Sequence, residues 1–186
     1  MKAILISDKE YQTKTYQGLK KLIEKFLNAK GLETEIIEVG RDNLAFCTGC
    51  FGCWIKKPGE CVINDMMAQI NRSVINSDTV LYFSPVIFGQ FSANIKNVMD
   101  RSIPNILPFF ETKPDGSTTH PPRYDSYPKQ IIIGYGDVIS NEDKQLFIDI
   151  TKKHRRTSEV LIYQETTGNI LEVLNNMEFG RVANII

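Results

Sequence analysis

The chain has 186 residues, 42% hydrophobic and 24% charged, which is the composition of one globular domain and not of a disordered segment. Its 22 basic and 22 acidic residues cancel, which argues against nucleic acid as the main partner. No apolar run approaches the roughly 20 residues of a membrane span, so neither a nucleic acid nor a membrane is expected as partner. The N-terminus has a short apolar core followed at once by charges and reads as a strand, not a signal peptide. The expectation is a cytoplasmic protein with reduced thiols.

Residues 3–6 form a fully apolar run ending in Ser7-Asp8, a first strand. Leu19, Leu22, Ile23, Phe26 and Leu27 recur at helical spacing and predict a helix over about 13–30, stopped by Gly31. Residues 34–39 alternate less cleanly and carry Glu35 and Glu38, which suits a strand near a sheet edge. Residues 40–62 show no regular period and hold all four cysteines. Met66, Met67, Ile70 and Val74 mark a second helix, with Asn64 or Asp65 as cap. Residues 79–83 are the third apolar strand. A loop with Pro85 and Gly89 follows, then a helix with Phe91, Ile95, Val98 and Met99 on one face. Residues 104–128 hold six of the eight prolines and read as an excursion, either functional or a plain surface loop. Residues 130–134 are a fourth strand, Asn141–His154 a helix and Glu159–Tyr163 a fifth strand. Ile170, Leu171, Leu174 and Met177 mark a last helix.

Strands alternate with helices, and most strands are continuously apolar. The physical solution is an α/β three-layer sandwich: a parallel sheet covered by helices on both faces, formed by residues 1–186 as a single domain. Ligands of such sheets bind outside the carboxyl ends of the strands. The loops to inspect are therefore 7–15, 84–92 and 134–140, with 40–62 close by.

The loop 7–15 enters a helix N-terminus, where backbone N–H groups and the helix dipole bind phosphate. Ser7, Thr13 and Thr15 add hydroxyls and Lys14 a charge. The loop has no glycine, and Asp8 and Glu10 repel an anion, so simple capping by Thr13 is the competing reading. In the loop 84–92 a stiffening Pro85 and a permissive Gly89 suit either a flat aromatic ligand or a buried connection. Cys47, Cys50, Cys53 and Cys61 are spaced C-x2-C-x2-C-x7-C. That spacing admits a [4Fe–4S] cluster, a zinc site, a redox-active pair or small buried hydrophobes. His154 suits a charge role at a helix C-terminus, and His120 has no visible partner. Lys96, Asp100 and Arg101 read as a local salt-bridged face. A hydrolase has little support, because no G-x-S-x-G elbow is present.

The string Cys-Thr-Gly-Cys-Phe-Gly-Cys-Trp at 47–54, residues 58–65 behind it, Ser77-Asp78, residues 84–89 and Lys96…Asp100-Arg101 together resemble the flavodoxin-like NAD(P)H-dependent FMN reductase and iron–sulfur flavoprotein group. The resemblance covers 47–101 closely. It implies a five-stranded parallel sheet of order 2-1-3-4-5. It implies FMN across the ends of strands one, three and four, with NAD(P)H as electron donor and a small molecule or protein as acceptor. The loop 7–15 would hold the FMN phosphate. Pro85, Val86, Ile87, Phe88 and Gly89 would line the isoalloxazine, and Gly134, Tyr135 and Gly136 would close its other side. Family members are commonly homodimers or homotetramers. The iron–sulfur members carry a compact four-cysteine motif, which would make Cys47, Cys50, Cys53 and Cys61 cluster ligands. The family's phosphate loop typically reads Ser-Pro-Arg…Gly-Asn-Thr. Here Thr15 matches, Asp8 stands at the serine and Thr13-Lys14 replace Gly-Asn, while Ile87 stands where the family often has tyrosine. The expected function is an FMN-dependent oxidoreductase. The alternatives are an iron–sulfur electron carrier and a flavin-free binding or assembly module of the same fold.

Overall fold

The first apolar run forms β1 (Lys2–Asp8), buried from Ala3 onward. The computed structural model describes residues 1–154, 158–165 and 170–183. Thr13 caps α1 (Lys14–Ala29) by accepting from the Tyr16 N–H, so the helix begins one residue later than its cap. β2 (Glu33–Val39) is buried only at Ile37 and Val39 and forms one edge of the sheet, as its glutamates suggest. A one-turn helix, α2 (Gly52–Ile55), interrupts the cysteine loop. α3 (Met67–Ile75) follows, with the Asp65 carboxylate accepting from the Met67 N–H. β3 (Thr79–Pro85) is buried throughout. Ser92 caps α4 (Ala93–Asp100), after which Ile103–Asn105 makes one 3-10 turn.

The proline-rich excursion carries a small antiparallel hairpin, β4 (Glu111–Thr112) with β5 (Thr118–Thr119). β6 (Ser126–Tyr135) leads to α5 (Asn141–His154), whose last turn holds Lys152, Lys153 and His154 as the helix dipole favours. β7 (Glu159–Tyr163), α6 (Ile170–Asn175) and β8 (Arg181–Ala183) complete the described chain.

The sheet order is β2-β1-β3-β6-β7, all parallel, which is the expected 2-1-3-4-5 arrangement. Successive residues of each inner strand serve opposite faces. Ala3, Leu5, Leu81, Phe83, Ile131 and Ile133 meet α1 and α6, while Ile4, Ile6, Val80, Tyr82 and Ile132 meet α3, α4 and α5. Burial on both faces is why these strands read as continuous apolar runs.

Besides the two short strands of the hairpin, β8 was not expected. β6 outruns β3, whose pairing with it starts at Thr79↔Lys129, and residues 126–128 instead pair antiparallel with β8. Pro128 has no N–H to donate, and the Arg181 side chain fastens the corner by donating to the Ile75 and Ser77 carbonyls and to the Ser126 carbonyl and hydroxyl. Among the described residues no helix is long and apolar enough to cross a membrane.

Candidate functional site

The carboxyl ends of β1, β3 and β6 bring together the loops 9–13, 86–92 and 136–140. Pairing of Ser7↔Phe83 and Ser84↔Gly134 fixes them side by side. Two contacts tie them further. The Tyr135 hydroxyl donates to the Tyr11 carbonyl at 3.1 Å, and the Thr15 hydroxyl donates to the Asp137 carboxylate.

The second loop is a two-residue turn. Ile87 and Gln90 exchange backbone hydrogen bonds of 3.0 and 2.9 Å, and Phe88 and Gly89 between them have φ of +49° and +69°. These are type I′ values, which cost a phenylalanine about 1–2 kcal/mol. Gly89 is required twice over: its φ is positive, and a Cβ there would lie 2.6 Å from Leu146 Cδ2. The turn holds the Phe88 ring 88% exposed. Val138 on the third loop is 92% exposed, and Tyr11 on the first is partly exposed.

The expected site residues divide by where their side chains go. Ser7 is fully buried, its hydroxyl 2.8 Å from that of Tyr16, which donates in turn to Glu38. Thr13 is spent on the helix cap, Thr15 on Asp137, and Lys14 is exposed. Pro85 is buried, Val86 and Ile87 are half-buried, and Gly134 lies in the core against Phe147, Val86 and Ile162. Tyr135 is buried, and burial pushes its hydroxyl pKa far up, with the charge of Asp8 adding to the effect. Gly136 packs beneath Ile139.

Asp8 ends β1 at the start of the first loop. Its Oδ1 accepts from the Glu10 N–H at 2.9 Å and from Asn94 Nδ2 at 3.0 Å. Its Oδ2 is buried with no hydrogen-bond partner among the described residues. Lys9 is paired with Asp42 and Glu10 with Arg41, so these charges are already met. No acidic residue lies in the first turn of α1.

The cysteine loop forms a second centre. All four thiols are free; Cys47 and Cys50 are exposed, Cys61 half-buried and Cys53 buried. Burial pushes the Cys53 thiol up, and the charges of Cys61, Cys50 and Cys47 push it further. The exposed Cys50 thiol is held below the ordinary range by the Gly52 N–H and the Thr48 hydroxyl. Phe51 opens α2 with a left-handed backbone, φ +53°, and its ring stacks on Trp54 at 5.5 Å. Trp54 Nε1 donates to the Ile103 and Ile106 carbonyls, and its ring meets His120 at 4.9 Å. Among the described residues no three of His, Cys, Asp and Glu are grouped as a single ion needs. The corners of a cubane cluster lie farther apart than the ligands of one ion.

Arg101 corrects the expectation of a surface salt-bridged face. Lys96 and Asp100 do pair on the surface, but Arg101 turns inward and is 2% exposed. Its guanidinium forks onto Asp65, with Nη1 to Oδ2 at 2.5 Å and Nη2 to Oδ1 at 2.9 Å. It also donates to the Ala45 carbonyl at 2.7 Å and to Cys61 Sγ at 3.1 Å. Burial alone would raise the Asp65 carboxyl pKa, yet Arg101 and the Met67 and Ala45 N–H groups hold it low. Sequence reasoning missed this role because the contact joins residues 36 to 56 positions apart.

A cavity of about 480 Å³, bordered by Met99, His120, Tyr127 and Gln130, adjoins the cysteine centre through His120, which Trp54 touches. It is not at the strand ends where this fold places ligands.

The architecture and its loops define a flavodoxin-like fold, and solved structures agree. The NAD(P)H:quinone oxidoreductase of Methanothermobacter marburgensis superposes with a TM-score of 0.63 at 11% identity, covering 94% of this chain and 91% of that one. An azoreductase of Bacillus anthracis gives 0.58 at 10% identity, covering 88% and 87%. The chain belongs to the NADPH-dependent FMN reductase family, whose pattern matches residues 1–116. An iron–sulfur flavoprotein of Methanocaldococcus jannaschii is 40% identical over 86 residues, 45% of this chain and 44% of that protein. Another, of Archaeoglobus fulgidus, is 38% identical over 80 residues, 43% of this chain and 36% of that protein. The matched stretch thus spans less than half of each of these curated relatives.

Proposed function

We propose that the chain is an NAD(P)H-dependent flavin oxidoreductase that holds FMN at the carboxyl ends of β1, β3 and β6 and passes its electrons to a small-molecule or protein acceptor. The observation that carries this is the convergence of three loops that leave Phe88, Val138 and Tyr11 uncovered, with a buried, unsatisfied Asp8 oxygen at the end of β1. An apolar planar ring suits the first three, and a ribityl hydroxyl supplies the donor that Asp8 Oδ2 lacks. Bound FMN would supply hydride acceptance and one- or two-electron release, so no protein acid or base is needed for the chemistry.

The chain's own residues bind and orient. The α1 N-terminus and the exposed Lys14 would meet the phosphate end, and the strained turn at 87–90 would set the ring plane. Tyr135 holds the first loop against the third strand end through Tyr11. The test is the visible spectrum of anaerobically purified protein before and after adding FMN. A two-band flavin spectrum that survives gel filtration and bleaches with NADPH or NADH is expected. A colourless protein that ignores FMN overturns the reading and leaves the flavin-free binding module.

The cysteine loop supports a second element, a [4Fe–4S] cluster held by Cys47, Cys50, Cys53 and Cys61. The chemistry of the donor set fits: four free thiols lie between residues 47 and 61, with a buried cation 3.1 Å from the sulfur of one of them. About four iron and four sulfide per chain after anaerobic reconstitution are expected, and a colourless, iron-free product overturns it. A homodimer or homotetramer is the proposed assembly, supported by the exposed Phe51, Ile55, Phe109 and Phe110, and light scattering reads it directly.

A further inference from the structure

Arg101 has more donors than its surroundings use. Its Nε–H is buried and has no acceptor among the described residues. The guanidinium is planar, with five N–H groups in a fixed fork. Asp65 occupies the edge made by Nη1 and Nη2. The other edge pairs Nε–H with the second N–H of Nη2, and the latter meets Cys61 Sγ at 3.1 Å. One prong of that edge is therefore on a cysteine sulfur, and its parallel neighbour is empty. An unpaired buried donor costs about 1–3 kcal/mol, so it calls for a partner.

We propose that Arg101 is a positioning residue for the cysteine centre: it presents Cys61 as the fourth ligand and sets the reduction potential through a two-pronged donation to cluster sulfur. The inference rests on the cluster reading given above. The physical basis is charge. Reduction adds one electron to a centre already surrounded by four thiolates, and no bond forms or breaks. A buried cation that donates to the sulfurs favours the more negative, reduced state and raises the potential. Asp65 tempers this, because its carboxylate shares the same guanidinium. The two residues therefore pull the potential in opposite directions.

The experiment uses the full chain, reconstituted anaerobically with ferrous iron and sulfide, in three forms: parent, Arg101→Lys and Asp65→Asn. The midpoint potential is read from the visible absorbance during a dithionite titration. Arg101→Lys keeps the charge but loses the fork, and about a tenfold lower ratio of reduced to oxidised centre is expected at fixed poise, or 59 mV for a one-electron couple. Asp65→Asn should shift the potential the other way. A role limited to packing predicts no opposed pair of shifts. If the parent takes up the cluster and both variants keep its potential, the inference about Arg101 is wrong while the cluster reading stands. If the parent binds no iron, the cluster reading fails and the inference falls with it. If Arg101→Lys does not fold, judged by its melting curve, Asp65→Asn decides alone: a positive shift supports the proposal and an unchanged potential overturns it.

Discussion

Replacing Gly134 by alanine would put a methyl group where three side chains already meet. The new Cβ would lie 2.8 Å from Phe147 Cε1, 2.8 Å from Val86 Cγ2 and 3.0 Å from Ile162 Cδ1. None of the three has an easy retreat. Phe147 is fully buried against Phe91, with ring centroids 4.7 Å apart, and Ile162 lies on the neighbouring strand. Val86 is fixed through its N–H to the Tyr135 carbonyl at 2.9 Å. Overpacking of this kind costs about 1–3 kcal/mol, and the stiffer unfolded chain of alanine returns about 0.4–1 kcal/mol, for a net loss of about 1–2 kcal/mol. A chain of this size loses about 2–4 °C of melting temperature per kcal/mol, so the FMN-free variant should melt about 2–8 °C below its parent by circular dichroism. Because Val86 begins the loop that carries Phe88, FMN affinity should fall as well. A melting temperature equal to or above the parent's would refute the packing argument, since it would mean that the layer between β6 and α5 has room that the distances deny.

Ser7→Ala removes a buried hydroxyl pair with Tyr16 and should cost about 1 kcal/mol while leaving FMN affinity unchanged; a large affinity loss with no change in stability would place Ser7 on the ligand instead. Glu35 is held below its ordinary pKa by hydrogen bonding to Lys2, against the opposing effect of burial, and by the Ser73 hydroxyl. Its folded pKa is depressed, so its contribution is present above the unfolded value near 4.3 and is lost as pH falls through the folded one. Glu35→Gln should therefore be less stable than its parent in urea at neutral pH, with the gap closing below about pH 4, and a gap of constant size would contradict the sign. Iodoacetamide should modify Cys50 before Cys53 in the metal-free protein, because the first thiol is exposed and lowered and the second buried and raised; peptide mass mapping gives the order.

The layered fold was legible because its signals are long. Sixteen residues of α1 carry a repeating apolar face, and the inner strands are apolar on both sides. The strand order itself came from resemblance, since periodicity says nothing of neighbours. What escaped was short. β8 spans three residues and β4 and β5 two each, too few for any period. The early start of β6 was masked by Pro128, which normally argues against a central strand and is tolerated here at the stretch β3 does not reach. At the site, residue type proved a weaker guide than direction. Ser7 and Thr15 have hydroxyls suited to a phosphate, but one turns into the core and the other to Asp137. Arg101 reads as one charge among several on a helix, and only its burial separates it from Lys96 and Asp100.

The two centres are joined by α4. Near its start, Asn94 donates to Asp8, and the Ser92 N–H donates to Ser84 at the end of β3. Near its end, Asn97 and Arg101 both donate to the Ala45 carbonyl, and Arg101 reaches Cys61 and Asp65. The span from Asn94 to Arg101 is about 10 Å at 1.5 Å per residue. Ile95, Val98 and Met99 seat the helix in the core, so its two ends move as one body. Asp8 Oδ2 and Arg101 Nε, both buried without a partner among the described residues, thus belong to groups that opposite ends of α4 touch or carry. A change that tilts α4 would disturb the contacts at Asp8 and at Ala45, Cys61 and Asp65 together.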